Sequence, residues 1–179
     1  MLTSARVPVI GFAAFSGTGK TSLIEQLLPL LRARGLRIGL IKHAHHRFDI
    51  DHPGKDSYRH RTAGASPVLI ASRQRWALMA ETPNGDDPQL DELLTRIGQD
   101  ALDLVIVEGF RHVAFPKIEL HRPSLGHPLL FPEDDSIIAL ASDAPLATAT
   151  ELPLLDLNDP QQIAGFIVDR VQIFQGNAE

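Results

Sequence analysis

The sequence predicts an α/β fold in three layers, with a mostly parallel sheet flanked by helices. Three observations carry that expectation: an apolar run, Val7 to Ala14, suited to a buried strand; a glycine-rich turn directly after it; and Leu23, Ile24, Leu27, Leu28, Leu30 and Leu31 recurring at helical spacing beyond the turn. Gly35 then supplies a stop, and Arg37 to Lys42 reads as a second strand. The result is a βαβ unit, which calls for parallel pairing.

The turn itself is Ala14-Phe-Ser-Gly17-Thr-Gly19-Lys20-Thr21-Ser22, a phosphate-binding loop of the P-loop type. Gly17 and Gly19 let the backbone adopt conformations closed to residues with a Cβ, so that successive N–H groups can face phosphate oxygens. Lys20 is placed to reach the β and γ phosphates, Thr21 to offer its hydroxyl to Mg²⁺, and the helix that starts here to add its positive end. Ala14 stands where the general pattern has glycine. The two glycines nearest the lysine are kept.

Further elements follow in order. Residues 43 to 55 are polar, with Pro53-Gly54 as punctuation, and predict a loop on the phosphate side of the sheet. Asp56 starts a short helix through Ala63, which Gly64 ends. Pro67 to Ser72 and Trp76 to Thr82, joined by Arg73-Gln-Arg75, suit a hairpin, with Trp76 packed in a core. After the turn-rich stretch Pro83 to Pro88, Leu90, Leu93, Leu94 and Ile97 mark a helix. Leu102 to Val107 is a buried strand that presents Glu108 at its carboxyl end, with Gly109 next to it. Lys117 to His121 alternates and reads as a more exposed strand. Pro123 to Pro132 is a long excursion, Ile137 to Ala141 another buried strand, and Asn158-Asp159-Pro160 opens a closing helix carrying Ile163, Phe166, Ile167, Val168 and Val171.

A chain of 179 residues is sized for a single domain, 1–179, with a full core. Its net charge of −5 lacks the excess of Lys and Arg that a nucleic-acid-binding surface needs. With no cysteine, disulfides, thiolate nucleophiles and cysteine-held zinc are excluded. The apolar runs fall well short of the roughly 18 residues of a membrane span, and nothing resembles a signal segment. The expectation is a cytoplasmic protein that does not bind membranes.

Glu108 and Thr21 together make a reasonable protein contribution to Mg²⁺, which takes oxygen ligands and keeps several waters. The stretch Lys42 to Arg61 is dense in histidine and charge, and three readings compete for it. It could be a phosphate-sensing loop, with Asp49 or Asp51 helping the metal and Lys42, Lys55 or Arg59 meeting an anion. It could bring His43, His45, His46 and His52 together around a transition metal. Or it could be a solvated polar loop. A calcium loop is excluded, because the twelfth position from Asp49 is His60 and not an acid. Asp143, beyond the strand Ile137 to Ala141, could accept from the ring N–H and amine of guanine, although Ser-Asp-Ala-Pro also suits an ordinary turn. Phe110 is placed to cover the site or face a partner.

Taken in order, Lys42-His-Ala-His-His46, Pro53-Gly-Lys-Asp-Ser-Tyr58, Arg75-Trp-Ala-Leu-Met-Ala-Glu-Thr-Pro83 and Leu104-Val-Ile-Val-Glu-Gly-Phe110, together with the phosphate loop, closely resemble the molybdopterin-guanine dinucleotide biosynthesis protein B family, MobB. The resemblance runs from about residue 8 to about residue 170. It implies a small GTP-binding protein, usually a homodimer, that acts in molybdenum cofactor biosynthesis beside the nucleotidyltransferase MobA and hydrolyses GTP slowly. It also implies nucleotide contacts at Gly17, Thr18, Gly19, Lys20, Thr21 and Ser22, and metal-side roles for Thr21 and Glu108. Two functions stay in competition. One is an adaptor that binds GTP with Mg²⁺ and docks on the transferase and on molybdopterin; the other is a P-loop small-molecule kinase or ATP-dependent ligase, for which Arg59, Arg61 and Arg111 are candidate γ-phosphate contacts.

Overall fold

A computed structural model describes residues 2–44, 48–82 and 87–176. In chain order the elements are β1 (Val9–Ala13), α1 (Lys20–Ala33), β2 (Ile38–Lys42), α2 (Asp56–Thr62), β3 (Val68–Ala71), β4 (Trp76–Met79), α3 (Leu90–Arg96), β5 (Leu104–Glu108), β6 (Lys117–His121), β7 (Ile137–Ser142), β8 (Leu154–Asp156) and α4 (Pro160–Gly176), with three short 3₁₀ turns. They fall into two compact units, one made of Met1–His43 with Pro88–Glu179 and the other of Ala44–Asp87.

The larger unit holds a six-stranded parallel sheet in the order β2-β5-β1-β6-β7-β8. One face, carrying Ile10, Phe12, Leu104 and Ile106, packs against Leu23, Leu27 and Leu31 of α1 and Ile163, Ile167 and Val171 of α4. The other, carrying Val9, Val105 and Val107, packs against Leu90 and Leu94 of α3 and against Phe110 and Phe115. These are the three layers that the sequence predicts. α4 starts as expected: the Asp159 carboxylate accepts from the backbone N–H groups of Gln161 and Gln162 at 3.0 and 3.2 Å, and Pro160 takes the first helical position, where no donor is needed.

The expectation of an exposed strand at Lys117–His121 is corrected. β6 is buried along its whole length between β1 and β7. Its residues Lys117 and Glu119 find partners in the segments before and after the strand. Lys117 Nζ donates to the Val113 carbonyl at 2.7 Å and pairs with Asp134 at 3.1 Å. The Glu119 carboxylate accepts from the backbone N–H groups of Leu130 and Phe131, both at 2.8 Å, while its burial pushes the carboxyl above its usual range. Alternation is therefore preserved, but its polar face looks at protein. β8 is an addition to the expected strands.

The smaller unit contains α2 and the antiparallel hairpin of β3 and β4, in which Leu69 pairs with Leu78 and Ala71 with Trp76. Cross-strand partners point to the same face, so Leu69, Ala71, Trp76 and Leu78 form one apolar surface. Leu69 is 63% exposed, Trp76 68% and Leu78 49%. The expected burial of Trp76 is thus corrected. A two-stranded hairpin has no second layer of its own to bury that face.

Candidate functional site

The loop between β1 and α1 adopts the form its glycines permit. Gly17 and Gly19 have φ of 81° and 95°, in the left-handed region, and Gly19 is the residue that caps α1. The first turn of α1 contains no acid, so its positive end is not neutralised from within. Phe15, Ser16, Gly17, Gly19, Lys20, Thr21, Ser22 and Glu108 line a cleft of about 360 Å³. Thr18 is buried, and its hydroxyl donates to the Phe15 carbonyl at 2.9 Å. Of the seven residues expected at the nucleotide, five line the cleft; Thr18 braces the loop through this bond, and Asp143 is not among the lining residues.

Strand order brings Glu108 to this cleft. β5 lies between β1 and β2, and the register sets Phe12, Lys42 and Glu108 level with one another at the carboxyl end of the sheet. There Thr21 Oγ1 donates to Glu108 Oε1 at 3.0 Å, and Lys42 Nζ pairs with Glu108 Oε2 at 3.1 Å. A hydroxyl and a largely buried carboxylate facing each other beside a phosphate loop are hard oxygen donors of the kind Mg²⁺ takes, with the remaining positions left to phosphate and water. Lys42 meanwhile supplies the positive charge that this carboxylate needs.

Behind Glu108 the backbone is tight. Gly109 has a φ of 103°, and a Cβ built there would stand 2.6 Å from the Cβ of His43. Phe110 is also left-handed, with φ of 54°, a costly conformation for a residue with a side chain. It is buried, its ring stacked on His43 at a centroid distance of 4.6 Å. The His43 amide donates to the Glu108 carbonyl at 2.8 Å, which closes the seam between the two strand ends.

Asp143 follows β7 and is held by Arg122, the first residue after β6. The same guanidinium donates through Nε to the Thr18 carbonyl at 2.9 Å. Phe15, at the start of the phosphate loop, stacks on His127 at 4.5 Å, with the Arg111 guanidinium 5.7 Å from the ring centre. Arg122 and His127 were missed by sequence reasoning. Their signal lies in the sheet order: once β6 is placed beside β1, the residues that follow it fall at the rim of the phosphate loop.

In the smaller unit, Arg61 gathers three carboxylates: Asp51 at 2.8 Å, Asp49 at 2.9 Å and Glu81 at 2.9 Å. The hydrogen bond to Asp51 leads the effects that raise the already high pKa of Arg61. Both candidate metal acids of the charged stretch are therefore partnered within that unit. Among the described residues no three His, Cys, Asp or Glu side chains converge as metal ligands. His45 and His46 lie outside the described residues, as do Pro83 to Asp86. No helix among the described residues is long and apolar enough to cross a membrane.

Comparison with known proteins adds to this geometry. The family model described as "Molybdopterin guanine dinucleotide synthesis protein B" matches residues 9–143. Over 173 residues the chain is 49% identical to the molybdopterin-guanine dinucleotide biosynthesis adapter protein of Escherichia coli (strain K12), covering 96% of this chain and 98% of that one. It is 43% identical over 172 residues to the protein of the same description from Haemophilus influenzae, covering 96% and 93%. Among solved structures, a crystal structure of molybdopterin-guanine biosynthesis protein B aligns with a TM-score of 0.70 at 27% identity, covering 92% of this chain and 99% of the other.

Proposed function

The chain belongs to the molybdopterin guanine dinucleotide synthesis protein B family, and from that premise we propose that it is an adaptor of molybdopterin guanine dinucleotide biosynthesis which works by binding GTP with Mg²⁺. The observation that carries the nucleotide part is the meeting of the glycine-shaped loop with the Thr21–Glu108–Lys42 cluster at one cleft. Main-chain N–H groups and Lys20 would hold the phosphates. Thr21 and Glu108 would stand on the metal side. Asp51 is instead held by Arg61 within the smaller unit.

Slow hydrolysis fits the same cleft. Glu108 is the one carboxylate among its described lining residues, and both its oxygens are already engaged, which leaves no obvious base to orient an attacking water. An adaptor needs the nucleotide as a shape-setting ligand, and turnover can stay low. Its partners on this reading are the MobA transferase, molybdopterin and a second copy of the chain. For self-association the apolar face of Leu69, Trp76 and Leu78 provides the surface.

Calorimetric titration of GTP and of ATP, each with Mg²⁺, tests the reading. GTP should bind with higher affinity than ATP, and Lys20→Ala should weaken it by roughly a hundredfold with the fold intact, as expected for loss of a cation on desolvated phosphates. Unchanged affinity in Lys20→Ala would sink the loop assignment. Turnover measured with molybdopterin alone, without the transferase, separates the kinase or ligase alternative: strong stimulation there would replace the adaptor reading with an enzyme.

A further inference from the structure

The rim of the phosphate loop carries a side chain that touches both the loop and the segment after β7. Arg122 donates from Nε to the Thr18 carbonyl at 2.9 Å, and from Nη1 to the Asp143 carboxylate. Its third nitrogen, Nη2, lies 3.8 Å from where a Cβ on Gly19 would stand. The guanidinium is thus laid along the outside of the Thr18-Gly19 turn. In a phosphate loop the N–H groups must face inward, so the carbonyls face out and need partners elsewhere. Arg122 meets that need at Thr18.

The planar fork explains why an arginine stands here. Nε and Nη1 belong to one rigid plane, so fixing the Nη1 edge on Asp143 also fixes the direction of the Nε–H bond. The segment that delivers Arg122 is itself tied down. It leaves β6, which is buried, and the Glu119 carboxylate holds the N–H groups of Leu130 and Phe131 some residues later. Between these anchors His127 stacks on Phe15, a second, independent contact with the loop.

We propose that Arg122 is a positioning residue of the nucleotide site, which holds the phosphate loop in its receiving conformation from outside, and that Asp143 acts on affinity by anchoring Arg122 and not by reading the base. This rests on the nucleotide-binding reading given above. It assigns Asp143 a role through the loop, because one oxygen of its carboxylate, Oδ2, already holds the Arg122 guanidinium. Loss of either partner then has the same consequence. The Thr18 carbonyl loses its donor, and the loop pays a conformational cost before phosphate can bind.

The test is a double-mutant cycle on Arg122→Gln and Asp143→Asn, with binding of Mg²⁺-GTP and Mg²⁺-XTP measured by calorimetry and folding checked by thermal melting. Each single variant should weaken GTP about tenfold, as expected for a charged hydrogen bond, and the double variant should be no worse than either single one. XTP should weaken by the same factor. Arg122→Lys, which keeps the charge but loses the fork, should behave like Arg122→Gln. If Asp143→Asn weakens GTP while improving XTP, Asp143 reads the base and the proposal is overturned. Additive losses, or full rescue by lysine, would overturn it in favour of a direct contact between Arg122 and phosphate. Failure of the nucleotide reading itself shows up separately, as wild-type protein whose GTP affinity does not respond to Lys20→Ala.

Discussion

The six-stranded sheet and the β3–β4 hairpin use the same residues to opposite ends. In the central strands of the sheet, Leu, Ile and Val on both faces are covered by helices or by the segment after β5, and every residue of β1, β5 and β6 is buried. In the hairpin, Leu69, Trp76 and Leu78 stand on one face and remain open. Composition does not separate them, and layering does. A parallel sheet is reached through crossovers that bring covering elements with them, whereas a hairpin closes in a few residues and brings none. The sheet can therefore carry a rigid site at its carboxyl edge, and the hairpin offers a surface that another molecule can complete.

This contrast is sharpest in stability. Leu27→Ala, in the layer beneath the phosphate loop, should destabilise by about 3 kcal/mol because the cavity cannot refill, while Leu69→Ala should cost about 0.5 kcal/mol or less in the isolated chain. Denaturant unfolding at low protein concentration checks both. Equal losses would mean that the hairpin face is buried in the free protein.

Assembly comes next in size. Replacing Leu69 and Trp76 together with serine should lower the apparent mass in analytical ultracentrifugation at micromolar protein, and leave GTP affinity within about twofold, since neither residue lines the cleft of the phosphate loop. A dimer that survives the double substitution would move the self-association surface elsewhere. At the sheet edge, Glu108→Gln should weaken GTP about tenfold with Mg²⁺ and hardly at all with EDTA, since an amide oxygen is a poorer ligand for Mg²⁺ than a carboxylate. Equal effects with and without metal would remove Glu108 from the metal shell.

The smallest effect is one of pH. The hydrogen bond from the Arg37 side chain, with its backbone N–H, holds the Asp103 carboxyl down at about 2 and ties the start of β2 to the start of β5. A depressed carboxyl stabilises the fold above its ordinary pKa of about 3.9 and loses that contribution as pH falls through the folded value. The gap in melting temperature between wild type and Asp103→Asn should accordingly narrow from pH 5 to pH 2. A constant gap would make the pair neutral in folding.

Much of this was legible because its signals are local. Gly17, Gly19, Lys20 and Thr21 sit within one turn, and Glu108 ends an apolar run that can only be a buried strand. The hairpin showed as two apolar runs joined by Arg73-Gln-Arg75. The misplaced parts have long-range causes. Lys117, Glu119 and His121 look like a solvated face until the Leu130 and Phe131 amides and the Asp134 carboxylate are found against Lys117 and Glu119. Trp76 looks like core until its hairpin proves to lack a covering layer.

The sequence by itself determined the glycine-shaped loop between the first strand and helix, the acid at the end of a buried strand, and that parallel strands would carry both. Those features depend on backbone freedom, periodicity and residue chemistry within a few positions. Only the tertiary structure decided that β6 lies inside, that Arg122 and Asp143 meet at the back of the loop, and that one apolar face stays open. Each of these is a pairing across the sheet or between distant segments, and such pairings are chosen by which polar groups can be satisfied and which apolar faces can be covered, quantities that no single stretch of sequence contains.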